Sequence, residues 1–447
     1  MTDATRPHAM LPWKQLGLIS AYWFGINAVW GGYEAFGQKQ VELIVGSGSV
    51  GSVMGVLELV AAMVPILVVP MAGALSDYTT TRWGKRKAYI ITGTTFDLIF
   101  IACLSFIAME QPPGWEGEAL GTTGLIVLYG ALLIGLQFSS NLAQGPYQGF
   151  VPDLVAEKQV GVASGLVGIM RVVGLIAGIG VMAAGARFEL WGAAFLTVGL
   201  IEFVLGVLTF IGVDNGPPAK PREGRSWASI ALETWDLDIL RERSFVRMTL
   251  VRLFFLMGAG MFINISLLYI ERVFSITDKD ERSILWMAAL GLGLAGTVLA
   301  AIPAARISDR IGRKPVVWGA AVVAATGVLI LAVAPTPLVA VAGAFFLGAG
   351  YGAYLAVDWA LMTDIIPLAS SGRFMGIANI ANSISGPLGL AVAGPIMDAF
   401  YRAGDIAMGP RVAVGLGVIA LALASVILIG VHPRRDPRHP GDPAGAE

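Results

Sequence analysis

The chain has a single cysteine, three histidines and few charged side chains. Charged residues make up 14% of its 447 residues and hydrophobic residues 56%. Soluble domains carry roughly 25% charged residues, so this chain lacks the charge to cover a water-facing surface. The lone Cys103 excludes an intramolecular disulfide. Because His8, His432 and His439 lie at the termini, no imidazole relays protons through an apolar core, and no His/Cys/carboxylate cluster predicts a metal or another cofactor.

Long apolar stretches are present instead. Segments 321–333 and 412–431 reach, or join neighbours to reach, the ~20 apolar residues that span a bilayer core. The N-terminus has no short apolar segment with a small-residue cleavage site, so we expect the first helix to be retained. A net charge of −1 argues against a nucleic-acid partner. These features predict an all-α protein that lies in a lipid bilayer.

Hydropathy, interrupted by charge clusters and Gly/Pro turns, predicts twelve transmembrane helices. They are placed near residues 14–43, 50–74, 88–109, 122–146, 160–184, 189–213, 247–271, 283–305, 315–334, 337–363, 374–399 and 409–431. The predicted domains are an N-terminal six-helix bundle (1–213), a cytoplasmic inter-bundle loop (214–246), a C-terminal six-helix bundle (247–432) and a cytoplasmic tail (433–447).

Basic residues predict the orientation, because positive charge is retained on the cytoplasmic side. If both termini are inside, most of the 30 Lys and Arg residues fall in cytoplasmic segments. We therefore expect a multi-pass protein of a bacterial inner (plasma) membrane, with both termini in the cytoplasm.

Two pairs of segments repeat between the halves. Segment 73–87 (GALSDYTTTRWGKRK) matches 305–314 (ARISDRIGRK), and 152–165 matches 363–376, with aspartate and glycines at one constant offset. Two matches at corresponding places indicate six-helix bundles related by a pseudo-two-fold axis along the membrane normal. Such a repeat predicts a solute site between the bundles at mid-depth.

The first repeated pair resembles the signature of the major facilitator superfamily, in which an acidic residue ends a helix and a glycine turn leads to several cations. The acids are expected to pair with arginine or a helix N-terminus and to latch one conformation. The predicted gating residues are Gly73, Asp77, Arg82, Gly84, Arg86, Asp153, Asp309, Arg310, Gly312, Arg313 and Asp364. The alternative is that they serve only as positive-inside anchors.

The N-terminal copy is more specific. Its pattern P-x-x-G-x-x-S-D-(x)5-W-G-K-R-K, residues 70–87, resembles the sugar–cation symporter branch, and 144–154 is similar to a segment of sucrose–proton symporters. Two positions depart from these patterns. Val69 stands where melibiose-type symporters carry a sodium-binding aspartate, and Gln148 where sucrose symporters carry arginine.

Ionisable residues inside predicted spans are functional candidates, because a charge at a helix centre costs about 3 kcal/mol on insertion scales. The set is Glu34, Glu58, Asp97, Arg171, Glu202, Arg252 and Asp358. Of these, the predicted proton-coupling residues are Glu34, Glu58, Asp97, Arg171 and Asp358. The protonation of such carboxylates depends on burial and on nearby arginine, so it can respond to solute. The alternatives are a static salt bridge, an anchor near the cytoplasmic end, or a carboxylate that extends to the interface.

Polar stripes predict the solute-binding walls. Amides at helical spacing satisfy sugar hydroxyls, and tryptophan faces stack on the C–H surface of a ring. The predicted substrate-binding residues are Trp23, Asn27, Trp30, Gln137, Asn141, Gln144, Asn264, Tyr354, Asn379 and Asn382. Hydrogen bonding between packed helices is the alternative for the amides, and a place in the interfacial belt is the alternative for the tryptophans.

Together these patterns predict a monomeric transporter, not an enzyme, that moves a small solute by alternating access. A sugar or another polyhydroxylated solute in symport with protons fits the stripes and carboxylates best. Two alternatives stay open at this point. One is export of amphipathic compounds, and the other is a pigment or membrane-protein assembly factor with the transporter fold, similar to chlorophyll-delivery proteins.

Overall fold

The computed structural model describes residues 10–108, 121–156, 159–232, 242–365 and 371–432. The predicted tail 433–447, part of the inter-bundle loop and the side chains of Asp364 and Asn379 lie outside the described part. Every regular element within the described ranges is helical.

The helices follow the predicted spans closely. In chain order they are α1 (Trp13–Val45), α2 (Val50–Ala61), α3 (Met63–Asp77), α4 (Lys87–Ala108), α5 (Gly121–Gln148), α6 (Phe150–Leu154), α7 (Val160–Arg187), α8 (Trp191–Gly212), α9 (Trp227–Leu232), α10 (Arg243–Phe274), α11 (Lys279–Ile311), α12 (Arg313–Val333), α13 (Pro337–Ile365), α14 (Ser371–Arg402) and α15 (Met408–Ile429). Helices α2 and α3 together form the second predicted span.

Eleven segments in the described ranges are long and apolar enough to cross a membrane. The first predicted span, α1, is 33 residues long but is not among the eleven. Lysine, glutamate and amide side chains recur along α1, which lowers its mean hydropathy. That this helix faces a solute stays a prediction.

Helix ends extend beyond the predicted apolar cores. Helix α11 runs over Lys279–Ile311 where hydropathy places the span near 283–305. Asp278 caps its first turn by accepting a hydrogen bond from the Glu281 backbone N–H at 2.8 Å, which satisfies one of the otherwise unpaired donors. Hydropathy detects only the part of a helix that suits hydrocarbon, so polar end turns escape it.

The chain divides into two compact units. One comprises Met1–Ile44 and Val60–Trp235, and the other Val45–Leu59 and Asp236–Glu447. The start of α2, assigned from the sequence to the N-terminal bundle, is thus grouped with the second unit. The predicted domain limits at 213 and 247 stay a prediction.

Candidate functional site

The predicted solute-facing stripe of α1 is intermediate in burial. Asn27, Trp30 and Glu34 are half-buried. The Asn27 amide donates to the Trp23 carbonyl of its own helix at 2.8 Å. Trp23 is buried, with its ring centroid 5.5 Å from that of Tyr147. The N-terminal end of this stripe, at Trp23, is therefore packed, whereas the rest of the stripe keeps partly accessible polar surface.

In the polar stripe of α5, Asn141 and Gln137 are hydrogen-bonded to each other, and Gln144 differs from them. Asn141 is buried and donates to Gln137 through both the backbone carbonyl, at 2.7 Å, and the side-chain oxygen, at 3.1 Å. Gln144, one turn further on, is half-buried and makes no hydrogen bond within the residues that the structure describes. The α5 stripe lies in the same unit as the α1 stripe.

The C-terminal candidates differ in burial. The Asn264 amide nitrogen lies 3.1 Å from where a Cβ on Gly386 would stand, so this amide fills the gap between α10 and α14. Asn382 is exposed. Tyr354 is fully buried and stacked on Phe255 at 3.8 Å between ring centroids, which places it inside the unit.

Asp358 forms a buried ion pair with Arg252. The Arg252 Nε lies 3.2 Å from Asp358 Oδ1, and its Nη2 contacts Oδ2, so the pairing is bidentate. The Tyr354 hydroxyl donates to Asp358 Oδ1 at 2.7 Å. Arg252 is 0% and Asp358 3% exposed, which means that this charge pair is compensated inside the unit rather than by water.

A second group of charges gathers where α3 ends, α4 begins and α6 follows α5. We call Asp77, Lys85, Arg86, Asp153 and Lys220 the ion cluster. Arg86 donates from Nε to Asp153 Oδ2 at 2.6 Å and from Nη2 to Asp77 Oδ1 at 3.1 Å. Lys85 Nζ lies 3.0 Å from Asp153 Oδ2. Because Lys85 and Arg86 are each 8% exposed, their charges are neutralised mainly by these two carboxylates.

Local backbone geometry brings the ion cluster together. Gly84 has φ +87°, a left-handed conformation that glycine adopts at no steric penalty, and it turns the chain towards α4. A Cβ on Gly149 would overlap the Arg86 guanidinium, so only glycine leaves room for that side chain. The Pro146 carbonyl accepts from Arg86 Nη1 at 3.2 Å.

The segment after α8 closes over the same cluster. The Lys220 backbone N–H donates to the Asp77 carbonyl at 2.8 Å, and its Nζ lies 3.2 Å from Asp77 Oδ2. Arg225 donates to the Tyr78 hydroxyl at 2.9 Å. Neither Lys85 nor Lys220 is among the predicted gating residues. Lys85 lies in the quoted W-G-K-R-K pattern, which could have indicated it, whereas nothing in the sequence around Lys220 indicates its partner.

Among the other predicted gating residues, Arg82, Asp309 and Arg310 lie outside the ion cluster. Arg82 is exposed, with its guanidinium carbon 4.5 Å from the centroid of the Trp83 ring. In the second copy Gly312 ends α11 with φ +93°, and Asp309 and Arg310 are exposed. Asp309 forms no ion pair within the described ranges. The two copies of the motif therefore differ in their contacts.

The remaining coupling candidates occupy different environments. Glu34 and Glu58 are half-buried, and Glu58 falls in the part of α2 that belongs to the second unit. Arg171 is exposed, with its guanidinium carbon 4.3 Å from the centroid of the Trp23 ring. Asp97, by contrast, is 1% exposed and accepts a hydrogen bond from Ser139.

Sequence reasoning did not single out Asp398. This residue, at 0% exposure, accepts hydrogen bonds from the backbone N–H groups of Gly51 at 3.0 Å and Ser52 at 2.6 Å. A carboxylate there satisfies the orphan donors at the start of α2. A Cβ on Gly51 would stand 2.6 Å from the Gly394 carbonyl, so α2 and α14 touch backbone to backbone.

Comparison with known proteins gives the family and the fold. Residues 15–390 and 280–447 match the profile described as the Major Facilitator Superfamily. Sucrose transport protein SUT1 of Oryza sativa subsp. japonica is 28% identical over 115 residues, which are 23% of this chain and 20% of that protein. The chain thus spans about a fifth of the length of the curated relatives it matches.

Solved structures agree over nearly the whole chain. A nucleoside transporter, NupG, has a TM-score of 0.66 at 16% identity, covering 94% of this chain and all of that one, at 100%. A D-xylose–proton symporter has a TM-score of 0.67 at 18% identity, covering 92% of this chain and 96% of that one. Identities this low show the fold alone. The all-helical transporter fold predicted from the sequence is confirmed, and these matches are with membrane transporters rather than enzymes.

Proposed function

Because this chain belongs to the Major Facilitator Superfamily, we propose that it is a secondary active transporter that carries a sugar or a similar polyhydroxylated solute together with protons. Alternating access is the mode of movement in this proposal. The local similarity to a sucrose transport protein supports the solute class. The fold shared with a D-xylose–proton symporter is compatible with it.

The observation that carries the proposal is the half-buried Gln144. A primary amide has two donors and an oxygen acceptor, and leaving them unpaired away from water costs free energy. Gln144 makes no hydrogen bond within the described residues, yet lies on one helix face with the paired Gln137 and Asn141. Hydroxyl groups of a sugar would complete its hydrogen bonds.

We assign gating to the ion cluster. Its charges join the α3–α4 loop, α6 and the segment after α8, all in one unit. Such a cluster holds these elements in one arrangement and would have to loosen when they move. We further propose that the cluster lies on the cytoplasmic side of a bacterial inner membrane and that one chain is sufficient for transport. Fusion of alkaline phosphatase to the C-terminus would stay inactive in this orientation, whereas an active fusion would reverse it.

The transport experiment uses the purified chain in proteoliposomes with a panel of labelled mono- and disaccharides. We expect at least one sugar to accumulate against its gradient when a pH gradient is imposed, and a protonophore to abolish the accumulation. If no sugar is transported under either condition, the proposed solute class is wrong. Accumulation that ignores the pH gradient would overturn proton coupling.

Two matched glutamine variants test the binding wall. Gln144→Ala removes a half-buried amide, whereas Gln148→Ala removes an exposed one from the next turn of the same helix. A lost hydrogen bond of about 1–1.5 kcal/mol predicts a roughly tenfold rise in KM for the first variant only. Equal KM values for both variants would remove Gln144 from the site.

A further inference from the structure

Asp97 of α4 and Glu202 of α8 lie on the facing sides of these two helices in the first unit. A Cβ on Gly199 would stand 2.7 Å from Ile101, and one on Gly206 would stand 2.6 Å from Thr94. The two helices are therefore antiparallel at this contact. Interpolating between these two contacts places Glu202 level with position 98, one residue from Asp97, on the helix face that Gly199 and Gly206 turn towards α4.

Both carboxyl groups are cut off from solvent and incompletely hydrogen-bonded. Asp97 and Glu202 are each 1% exposed. The Ser139 hydroxyl donates to Asp97 Oδ1, whereas Asp97 Oδ2 and Glu202 Oε1 have no hydrogen-bond partner within the described residues. Buried polar atoms almost always have a hydrogen-bond partner. A proton on one of these two carboxyl groups would give both oxygens such a partner.

The helices packed around this carboxyl pair contribute titratable groups but no cation in contact. Tyr22 of α1 faces the pair, with its hydroxyl 2.7 Å from Thr94 Oγ1. Tyr147 of α5 lies behind Tyr22, at 4.9 Å between ring centroids. Arg171 of α7 lies over Trp23 instead. No salt bridge to either carboxyl group is formed in the described part of the chain.

Two ionised carboxylates without a cation cannot share a dry interior, because desolvation and mutual repulsion both oppose it. We propose that Asp97 and Glu202 form a proton-binding site that holds one exchangeable proton between them. On binding, one carboxylate oxygen takes a proton from water and becomes an O–H donor to the other group. On release that O–H bond breaks and the proton returns to water. No electron is transferred.

The role of this site in solute coupling rests on the proposed symport, but its occupancy by a proton does not. Infrared difference spectroscopy of the purified full-length chain in detergent, recorded across a pH titration without solute, measures that occupancy directly. We expect a carboxylic C=O band that disappears as pH rises, with release of about one proton per chain. Asp97→Asn and Glu202→Gln should each abolish or shift this band.

A matched control and a wild-type measurement keep the experiment decisive. Glu271→Gln removes a carboxylate that pairs with Arg282 at 2.8 Å, and it should leave the band unchanged. If the pair variants do not fold, carbodiimide labelling of the wild type still decides, since this reagent modifies protonated carboxyls in apolar surroundings. Label on Asp97 or Glu202 supports the site. Three results would overturn the site. The first is a band that is unchanged in both pair variants, and the second is carbodiimide label found only on other residues. The third is loss of the band when sodium is added at constant pH.

Transport in the same variants separates this inference from the proposed function. If both carboxyl variants lose accumulation driven by the pH gradient but keep solute exchange, the site is the coupling site. If the wild type moves no sugar yet shows the titrating band, the proposed function fails while the proton site stands.

Discussion

The Arg86 guanidinium donates to Asp153 across 2.6 Å and joins positions 67 residues apart in the chain. The same group reaches Asp77 at 3.1 Å and the Pro146 carbonyl at 3.2 Å. One side chain therefore fastens the α3–α4 loop to α6 and to the end of α5. This arrangement makes the energetic role of Arg86 measurable.

Arg86→Ala is expected to destabilise the protein strongly. The substitution removes the arginine that Asp77 and Asp153 share. Lys85 and Lys220 remain as partners of these carboxylates, so we expect the loss that follows from removing charged hydrogen bonds, about 1.5–3 kcal/mol. The side chain of Arg86 is 9% exposed, so water compensates little. Chemical unfolding in detergent measures the loss in the free energy of unfolding.

Arg82→Ala is the matched control, four residues earlier in the same loop. Its exposed guanidinium contacts only the partly exposed Trp83 ring in the described structure. We expect a loss of about 0.5–1 kcal/mol at most. Comparable losses for the two arginines would contradict the contact network described above.

The two copies of the repeated motif are expected to respond differently to one substitution. Asp77→Asn weakens charge-assisted contacts to Arg86 and Lys220, and we expect it to lower the free energy of unfolding by about 1–2 kcal/mol. The side chain of Asp77 is 26% exposed, which moderates the effect. Asp309→Asn should change it by less than about 0.5 kcal/mol, because Asp309 is exposed and has no ion pair within the described ranges. Thermal unfolding of both variants tests this difference. Equal changes in the unfolding temperature would contradict the different contacts of Asp77 and Asp309.

Several parts of the fold could be predicted because they depend on local sequence. Apolar runs place a span wherever hydrocarbon is the surrounding solvent, and α4 begins at Lys87, one residue before the predicted start at 88. Asp77 and Arg86 could be connected because an acid, a glycine turn and cations recur in one short segment. Local spacing carries such information directly.

Contacts between distant helices could not be predicted in the same way. Glu202 is an isolated acid in an apolar span, and the sequence placed it among the functional candidates but not among the proton-coupling residues. Its position opposite Asp97 follows from the contacts of Gly199 and Gly206 with α4, which no spacing within α8 reveals. Asp398 is a similar case, because the N–H groups that donate to it, those of Gly51 and Ser52, lie 347 and 346 residues away in the chain.

Glycine at position 348 is expected to be essential for the packing of α13 on α11. A Cβ there would overlap the backbone carbonyl of Gly293, which cannot swing aside as a side chain can. Gly348→Ala should therefore cost about 1–3 kcal/mol. Gly291→Ala on α11 meets nothing within 4 Å, and the higher helix propensity of alanine should make it neutral or stabilising by up to about 1 kcal/mol. Thermal unfolding of both variants tests this difference. If Gly291→Ala destabilises the protein as much as Gly348→Ala does, close packing of α13 on α11 is not the cause of the lost stability.

The Arg252–Asp358 pair allows a test that separates stability from coupling. Arg252→Met leaves a buried carboxylate with only the Tyr354 hydroxyl as partner, and we expect a loss of about 3–5 kcal/mol. Asp358→Asn keeps an acceptor for Tyr354 but removes the carboxylate that pairs with the Arg252 guanidinium, so we expect a loss of similar size. Combining the two substitutions removes both charges. The double variant should recover most of the stability, because a neutral pair avoids the desolvation of two ions.

Chemical unfolding of the four proteins forms a double-mutant cycle. A coupling energy of about 2 kcal/mol or more is expected, whereas additive losses would show that the two groups do not compensate each other. Proteoliposome assays of the stable double variant then address the predicted proton-coupling role of Asp358. If accumulation driven by the pH gradient returns with stability, Asp358 serves the fold alone, since no titratable carboxyl remains at that position. If stability returns but accumulation does not, the carboxyl group itself is needed for coupling.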